Sequence, residues 1–308
     1  MEVAARTSSP QSLGSLELQC PPLPHTLLEA LELMHQPEGL QMDRVIRMVE
    51  NDPGVTTRVL KVVNSAYYGQ RGQITSARRA VLVLGSVSVT GLVMSMGLHE
   101  MRHDLDASTA GPFLHLVRHS IATAFLARHM LAHEEGPDVS LKDRPGDAYT
   151  AGLLHDFGKL ILLYNHPAEA AHLYLEAQKG KICASNVLAK ERERFGYDHV
   201  ETGVYLTRRM KFPAVLTAAI AWHHSDEVAG DLDPETRHLV YLVQAANRAA
   251  AALGFSSNCP VPCEQCAADP IWSRLVEERV VAHPDVETLQ ADLQAVQPAL
   301  TEYIDLIT

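Results

Sequence analysis

Residues 152–160 read GLLHDFGKL, and this stretch sets His155 beside Asp156 with Lys159 three residues further on. An adjacent His–Asp pair offers a metal one imidazole nitrogen and one carboxylate oxygen from a single short piece of backbone. Residues four apart share a helix face, so the spacing predicts the Lys159 ammonium beside any metal at His155. A metal with a cation next to it suits chemistry on phosphate esters. The surrounding apolar residues repeat with helical spacing, and a metal site in such a protein draws its remaining ligands from other helices facing one interior cleft.

Outward from this stretch, nearly every segment has helical periodicity. Helices are expected over residues 24–34 and 42–50. Asp52 is placed to cap a third, with Pro53 in its first turn. Thr75 or Ser76 starts another, which Gly85 interrupts before a continuation over 87–101. A long amphipathic helix is expected over about 112–133, then a charged loop over 134–147. Helices follow at 148–164, 168–178, 185–195, 200–210, 214–224 and 234–253. The tail from about 270 to 307 reads as two helices divided near His283 and Pro284. The expected class is all-α.

Composition agrees. Apolar residues make up 46% of the 308 and aromatics only 6%, which favours packed helices over an aromatic-rich sandwich. No apolar run approaches the roughly 20 residues that span a bilayer, and the first twenty residues lack the apolar core of a secretion signal. A cytoplasmic protein with no membrane association is the expectation. A net charge of −11 argues against general nucleic-acid binding, which needs a basic face. Five cysteines, an odd number, do not suggest a disulfide framework.

The chain has 16 histidines, and several stand where ligands are needed. His119 lies on an amphipathic helix, His199 opens a helix that Asp198 can cap, and His223 and His224 end an apolar helix beside Trp222. The doublet has a second reading as a helix C-terminus, where the macrodipole favours imidazolium. Imidazoles with a carboxylate suit iron, manganese or zinc better than calcium. Cys259, Cys263 and Cys266 form a C-x3-C-x2-C run that could contribute three thiolates to a structural zinc, but a fourth ligand is missing. In NSAYYG, Asn64 and Ser65 can bond nearby backbone, which marks a structural junction.

The order of these blocks resembles the HDOD family, the HD-related output domain of bacterial signalling proteins. LPHTLLEALELM, NDPGVTTRVLKVVNSAYYG, QITSARRAVLVLG, AGLLHDFGKLIL, FGYDHVETGVYL and AIAWHHSDE carry the resemblance, over about residues 23–253. It implies a multi-helical fold with an N-terminal helical lobe and an HD-like helical lobe. The implied organisation is a flexible lead-in over 1–19, an HDOD domain over 20–255 (lobes 20–107 and 108–255), and a Cys-containing loop with a C-terminal helical extension over 256–308. Matching positions make His119, His155, Asp156, His199, His223 and His224 the metal ligands and Lys159 a phosphate contact. The related HD-GYP cyclic-di-GMP phosphodiesterases add a GYP loop after the doublet, and here SDEVAGDLDPET contains none. HD hydrolases also carry a late aspartate, near which this chain has Asn247. An amide ligand carries no charge and activates bound water less. The resemblance therefore implies a mostly non-catalytic platform for signalling partner proteins or a nucleotide-type ligand. The alternative is a metal-dependent phosphohydrolase or phosphodiesterase acting on nucleotides or cyclic dinucleotides.

Overall fold

Asp52 and Pro53 start a helix as their order predicts. The Asp52 carboxylate accepts the backbone N–H groups of Gly54 at 2.7 Å and Val55 at 3.1 Å, and Pro53 occupies the first turn, where its missing N–H costs nothing. Ser76 caps the next helix through Arg79 N–H at 3.3 Å. Gly85, at φ 82°, turns the chain where that helix ends. Asn64 donates to the carbonyls of Leu60 and Ile74 and accepts from Ile74 N–H, each at 2.8 Å.

The computed structural model describes residues 18–34, 41–65, 68, 73–132, 145–225, 228, 232–257, 269–281, 283 and 285–308. Every regular element among them is helical. The order is α1 (His25–Met34), α2 (Met42–Glu50), α3 (Pro53–Val63), α4 (Ala77–Leu84), α5 (Ser86–Glu100), α6 (Ala110–Ala132), α7 (Pro145–Leu154), α8 (Phe157–Asn165), α9 (Pro167–Gln178), α10 (Val187–Phe195), α11 (His199–Arg209), α12 (Ala214–Trp222), α13 (Pro234–Ala252), α14 (Pro270–Glu277), α15 (Val286–Ala295) and α16 (Gln297–Ile307). The all-α expectation is met. No single helix among the described residues is long and apolar enough to cross a membrane.

Two expectations are corrected. The helix expected over 148–164 is two helices, broken at His155 and Asp156. The His155 ring Nδ1–H donates to the Gly152 carbonyl at 2.8 Å, the carbonyl that would accept Asp156 N–H in an unbroken helix. The tail contains three helices, because Pro298 opens a new one directly after α15.

One cluster of buried apolar residues runs from Leu18 to Ile307. Within it α6 packs against α7, α13, α5 and α16. The C-terminal helix is tied into the interior by hydroxyls: Tyr149 bonds Ser95 at 2.7 Å and Tyr303 at 3.0 Å. Buried Tyr needs such partners for its polar end.

His99, at the end of α5, is 2% exposed and its Nδ1 has no hydrogen-bond partner. Burial, with Arg102 and Arg58 nearby, pushes its pKa from 6.5 down to about 4. The folded state therefore holds His99 neutral while the unfolded chain takes up a proton. Its influence is nil above about pH 6.5, and it destabilises the fold increasingly as pH falls toward 4. Urea unfolding of wild type and His99→Gln at pH 7 and pH 4.5 should show the variant losing less stability on acidification. Equal losses would refute this role.

Candidate metal centre

Five elements deliver the predicted residues to one place. His119 lies midway along α6, and His155 and Asp156 form the break between α7 and α8. His199 is the first residue of α11, and His223 and His224 form the turn that closes α12. Asp198 caps α11 as expected. It accepts Glu201 N–H at 2.8 Å while the Glu201 carboxylate accepts Asp198 N–H at 3.0 Å. This reciprocal cap fixes His199 at the helix origin. His119, His155, Asp156, His199 and His223 are all buried, with exposures of 0–2%, and His224 is partly buried.

The side chains form two groups that share Asp156. In one, Asp156, His199, His223 and His224 offer ligand atoms within 4.8 Å of one another; in the other, His119, His155 and Asp156 do so. Oδ1 of Asp156 lies 3.4 Å from Nε2 of both His199 and His223. Oδ2 lies 3.5 Å from His155 Nε2 and 3.7 Å from His119 Nε2.

Proton positions follow from the partners of the opposite ring nitrogens. Nδ1 of His119 is 2.6 Å from the Phe255 carbonyl, that of His155 is 2.8 Å from the Gly152 carbonyl, and that of His223 is 2.8 Å from the Ile220 carbonyl. Nδ1 of His199 is 2.6 Å from the Glu191 carboxylate. Carbonyl and carboxylate oxygens only accept, so each Nδ1 carries the proton. Burial also disfavours a second proton: it lowers His119 to about 4, lowers His223, and holds His155 well below the usual histidine range. His119, His155 and His223 thus stay neutral and turn bare Nε2 lone pairs inward.

The Nε2 atoms face each other, at 3.3 Å between His119 and His155 and 3.4 Å between His199 and His223. Lone pair against lone pair is repulsive unless a cation lies between. Asp156 Oδ1 is buried with no hydrogen bond, which leaves a carboxylate oxygen in want of the same cation. The donor set of imidazole nitrogen and carboxylate oxygen can hold iron, manganese or zinc. Nδ1–H bonds to carbonyl and carboxylate are also what fixes ring orientation in metal-binding histidines.

Lys159 takes a different place from the expected one. Because the helix breaks before it, its ammonium meets Asp156 instead of flanking His155. Nζ donates to Asp156 Oδ2 at 2.7 Å, and the side chain is 2% exposed. Burial alone would raise the Asp156 pKa, but the Lys159 ammonium and the surrounding imidazoles hold it well below the usual carboxylate range.

Three residues of the centre were not singled out from the sequence. Glu191 is fully buried and accepts from His199 N–H at 2.9 Å, His199 Nδ1–H and Tyr174 hydroxyl at 2.9 Å. Its signal was its place four residues after buried Val187 on α10, on the same face. Gln244 donates to the carbonyls of Trp222 and Ser225, both at 2.7 Å, and so pins the His223–His224 turn to α13. Asn247 lies one turn further along α13 and is partly buried. Ser257 reaches Lys159 and Asp156 from the turn after α13. Cys259, Cys263 and Cys266 lie outside the described residues.

Glu191→Gln keeps the shape and removes the negative charge behind His199 Nδ1. Losing such an outer partner costs roughly 10–100-fold in metal affinity. Competition titration with a chromophoric chelator should read such a loss in this variant, and unchanged affinity would show that Glu191 does not serve the ligand.

The HDOD domain profile matches residues 20–226. An uncharacterised protein of Treponema pallidum (strain Nichols) is 25% identical over 279 residues, covering 91% of this chain and 50% of its own length. The chain thus spans half the length of that curated relative. Among solved structures, an HDOD domain protein of unknown function from Geobacter sulfurreducens aligns with a TM-score of 0.71 and 21% identity, over 94% of each chain. A candidate phosphohydrolase of Shewanella amazonensis SB2B aligns at 0.64 with 20% identity, over 97% of each chain. At these identities the two structures establish a shared fold.

Proposed function

The chain belongs to the HDOD family, and from that premise we propose that it is a regulatory helical platform. It holds a divalent metal in its buried His/Asp centre and transmits a signal through contacts with partner proteins or a nucleotide-type ligand, with hydrolysis no part of its role. The observation that carries this reading is the closure of the centre. Five of its six ligand residues are at most 2% exposed. A metal held by Asp156, His199, His223 and His224 would cross-brace the start of α8, α11 and the end of α12, and its presence or absence can be read out as a change in rigidity.

A second reading, a metal-dependent phosphohydrolase, is favoured by the carboxylate shared between two groups of imidazoles. Two ions so placed could activate a bridging water, with Lys159 neutralising phosphate. The engagement of Lys159 with Asp156 weighs against it. Protein purified without chelator and supplied with manganese or iron should retain metal and give no hydrolysis of nucleotides, cyclic dinucleotides or bis(p-nitrophenyl) phosphate. Turnover that disappears in His155→Ala would establish the hydrolase instead.

A further inference from the structure

The two groups of ligands around Asp156 are not equivalent, and the difference lies in Lys159 and Ser257. On the Oδ1 side, three imidazoles face a carboxylate oxygen that has no hydrogen bond. On the Oδ2 side a cation is already present. Lys159 Nζ is 2.7 Å from Oδ2 and 3.1 Å from Ser257 Oγ, and Ser257 Oγ is itself 3.2 Å from Oδ2. The three atoms close a triangle of hydrogen bonds at the oxygen that a metal on His119 and His155 would need.

We propose that the Lys159 ammonium is the resident cation of the His119/His155 half of the centre, so that the protein takes one divalent ion, on Asp156 Oδ1, His199, His223 and His224. This rests on the reading of the centre as a metal site and adds its stoichiometry. Charge favours it. Among the described residues Asp156 is the sole carboxylate in the clustered ligands. Two divalent ions and the ammonium would set five positive charges around that one negative charge, whereas one ion and the ammonium set three. Glu191 adds a second negative charge, and it lies behind His199 on the Oδ1 side.

Geometry favours it as well. A metal bound at Oδ2 would bring like charges together in a buried, weakly screened setting, with Lys159 only 2% exposed. Ser257 fixes the lysine there, and the Phe255 carbonyl, two residues earlier, orients His119. The short segment after α13 therefore serves this half of the centre. It also lies beyond residues 20–226, which the family profile covers.

Metal stoichiometry tests the proposal without reference to activity. Apo protein is titrated with Mn(II), and bound ions are counted by equilibrium dialysis and elemental analysis, with EPR to distinguish an isolated ion from a coupled pair. Wild type should bind one equivalent with the spectrum of an isolated ion. Lys159→Met, of similar length and neutral, should bind two equivalents with a coupled spectrum. Ser257→Ala, which loosens the lysine and keeps the fold if Lys159→Met does not, should admit a second equivalent that wild type does not bind. Two coupled ions in wild type would overturn the proposal and leave the metal-site reading intact. One ion in Lys159→Met, or one ion in Ser257→Ala, would also overturn it. No bound ion in wild type would overturn both.

Discussion

Asp156→Asn is expected to strip the metal from the centre and to destabilise the metal-free protein by about 3 kcal/mol or more. Each effect has its own cause. Asp156 is the one residue common to both ligand groups, so losing its charge weakens every metal contact at once. The affinity loss should exceed the roughly 10–100-fold expected of an outer partner such as Glu191. The stability loss comes from Lys159, whose buried ammonium donates to the Asp156 carboxylate. Neutralising the acceptor leaves a buried cation without its counter-charge, which typically costs about 3–5 kcal/mol. A double-mutant cycle with Lys159→Met separates the two. The double variant should recover much of the stability and none of the metal affinity, because the unpaired charge is gone while the ligand is still missing. If urea unfolding of the metal-free single variant matched wild type, the Lys159–Asp156 pair would have no structural weight.

Among the glycines of the described residues, Gly158→Ala should be the most damaging change. Gly158 on α8 lies against the start of α11, and a Cβ there would fall on the His199 carbonyl oxygen and within 2.8 Å of Thr202 Oγ1. Thr202 cannot move aside freely, since its hydroxyl donates to the carbonyls of Asp198 at 3.0 Å and His199 at 3.1 Å. The added methyl must push α11 bodily away, carrying His199 with it. Overpacking in a rigid core costs about 1–3 kcal/mol, more where backbone opposes it, so a loss of at least 3 kcal/mol is expected. Metal affinity should fall with it, because His199 leaves Asp156 Oδ1. Gly111 is the control: it lies in the first turn of α6, and a Cβ there would meet nothing within 4 Å. Gly111→Ala should be neutral or stabilising by up to about 1 kcal/mol. Thermal melts of the two variants should move in opposite directions, and similar melts would mean that α8 and α11 can part without penalty.

Much of this was legible in the sequence, for physical reasons that differ by element. Helices with a capping side chain and a proline in the first turn, such as α3, declare their start locally, and Asp198 declares the start of α11 in the same way. The ligand histidines were legible because a metal site needs particular atoms, and few residue types carry them. The break at His155 was not, because it depends on a ring nitrogen bonding the Gly152 carbonyl, which no periodicity encodes. That break also moved Lys159 from the flank of His155 to the carboxylate of Asp156. Glu191, Gln244 and Ser257 were hidden for another reason. Each is polar and surrounded by ordinary helix or turn residues, and each acquires its role only when a distant segment folds against it: α11 on Glu191, the α12 turn on Gln244, Lys159 on Ser257. The third tail helix was lost because Pro298 reads equally as a break or as a start.

The most direct test of the account is anomalous diffraction from crystals grown after purification without chelator, recorded on both sides of the iron, manganese and zinc edges. A metal peak is predicted within coordination distance of Asp156 Oδ1 and the Nε2 atoms of His199 and His223. Crystals soaked in each of the three metals that still showed no peak between these side chains would contradict it.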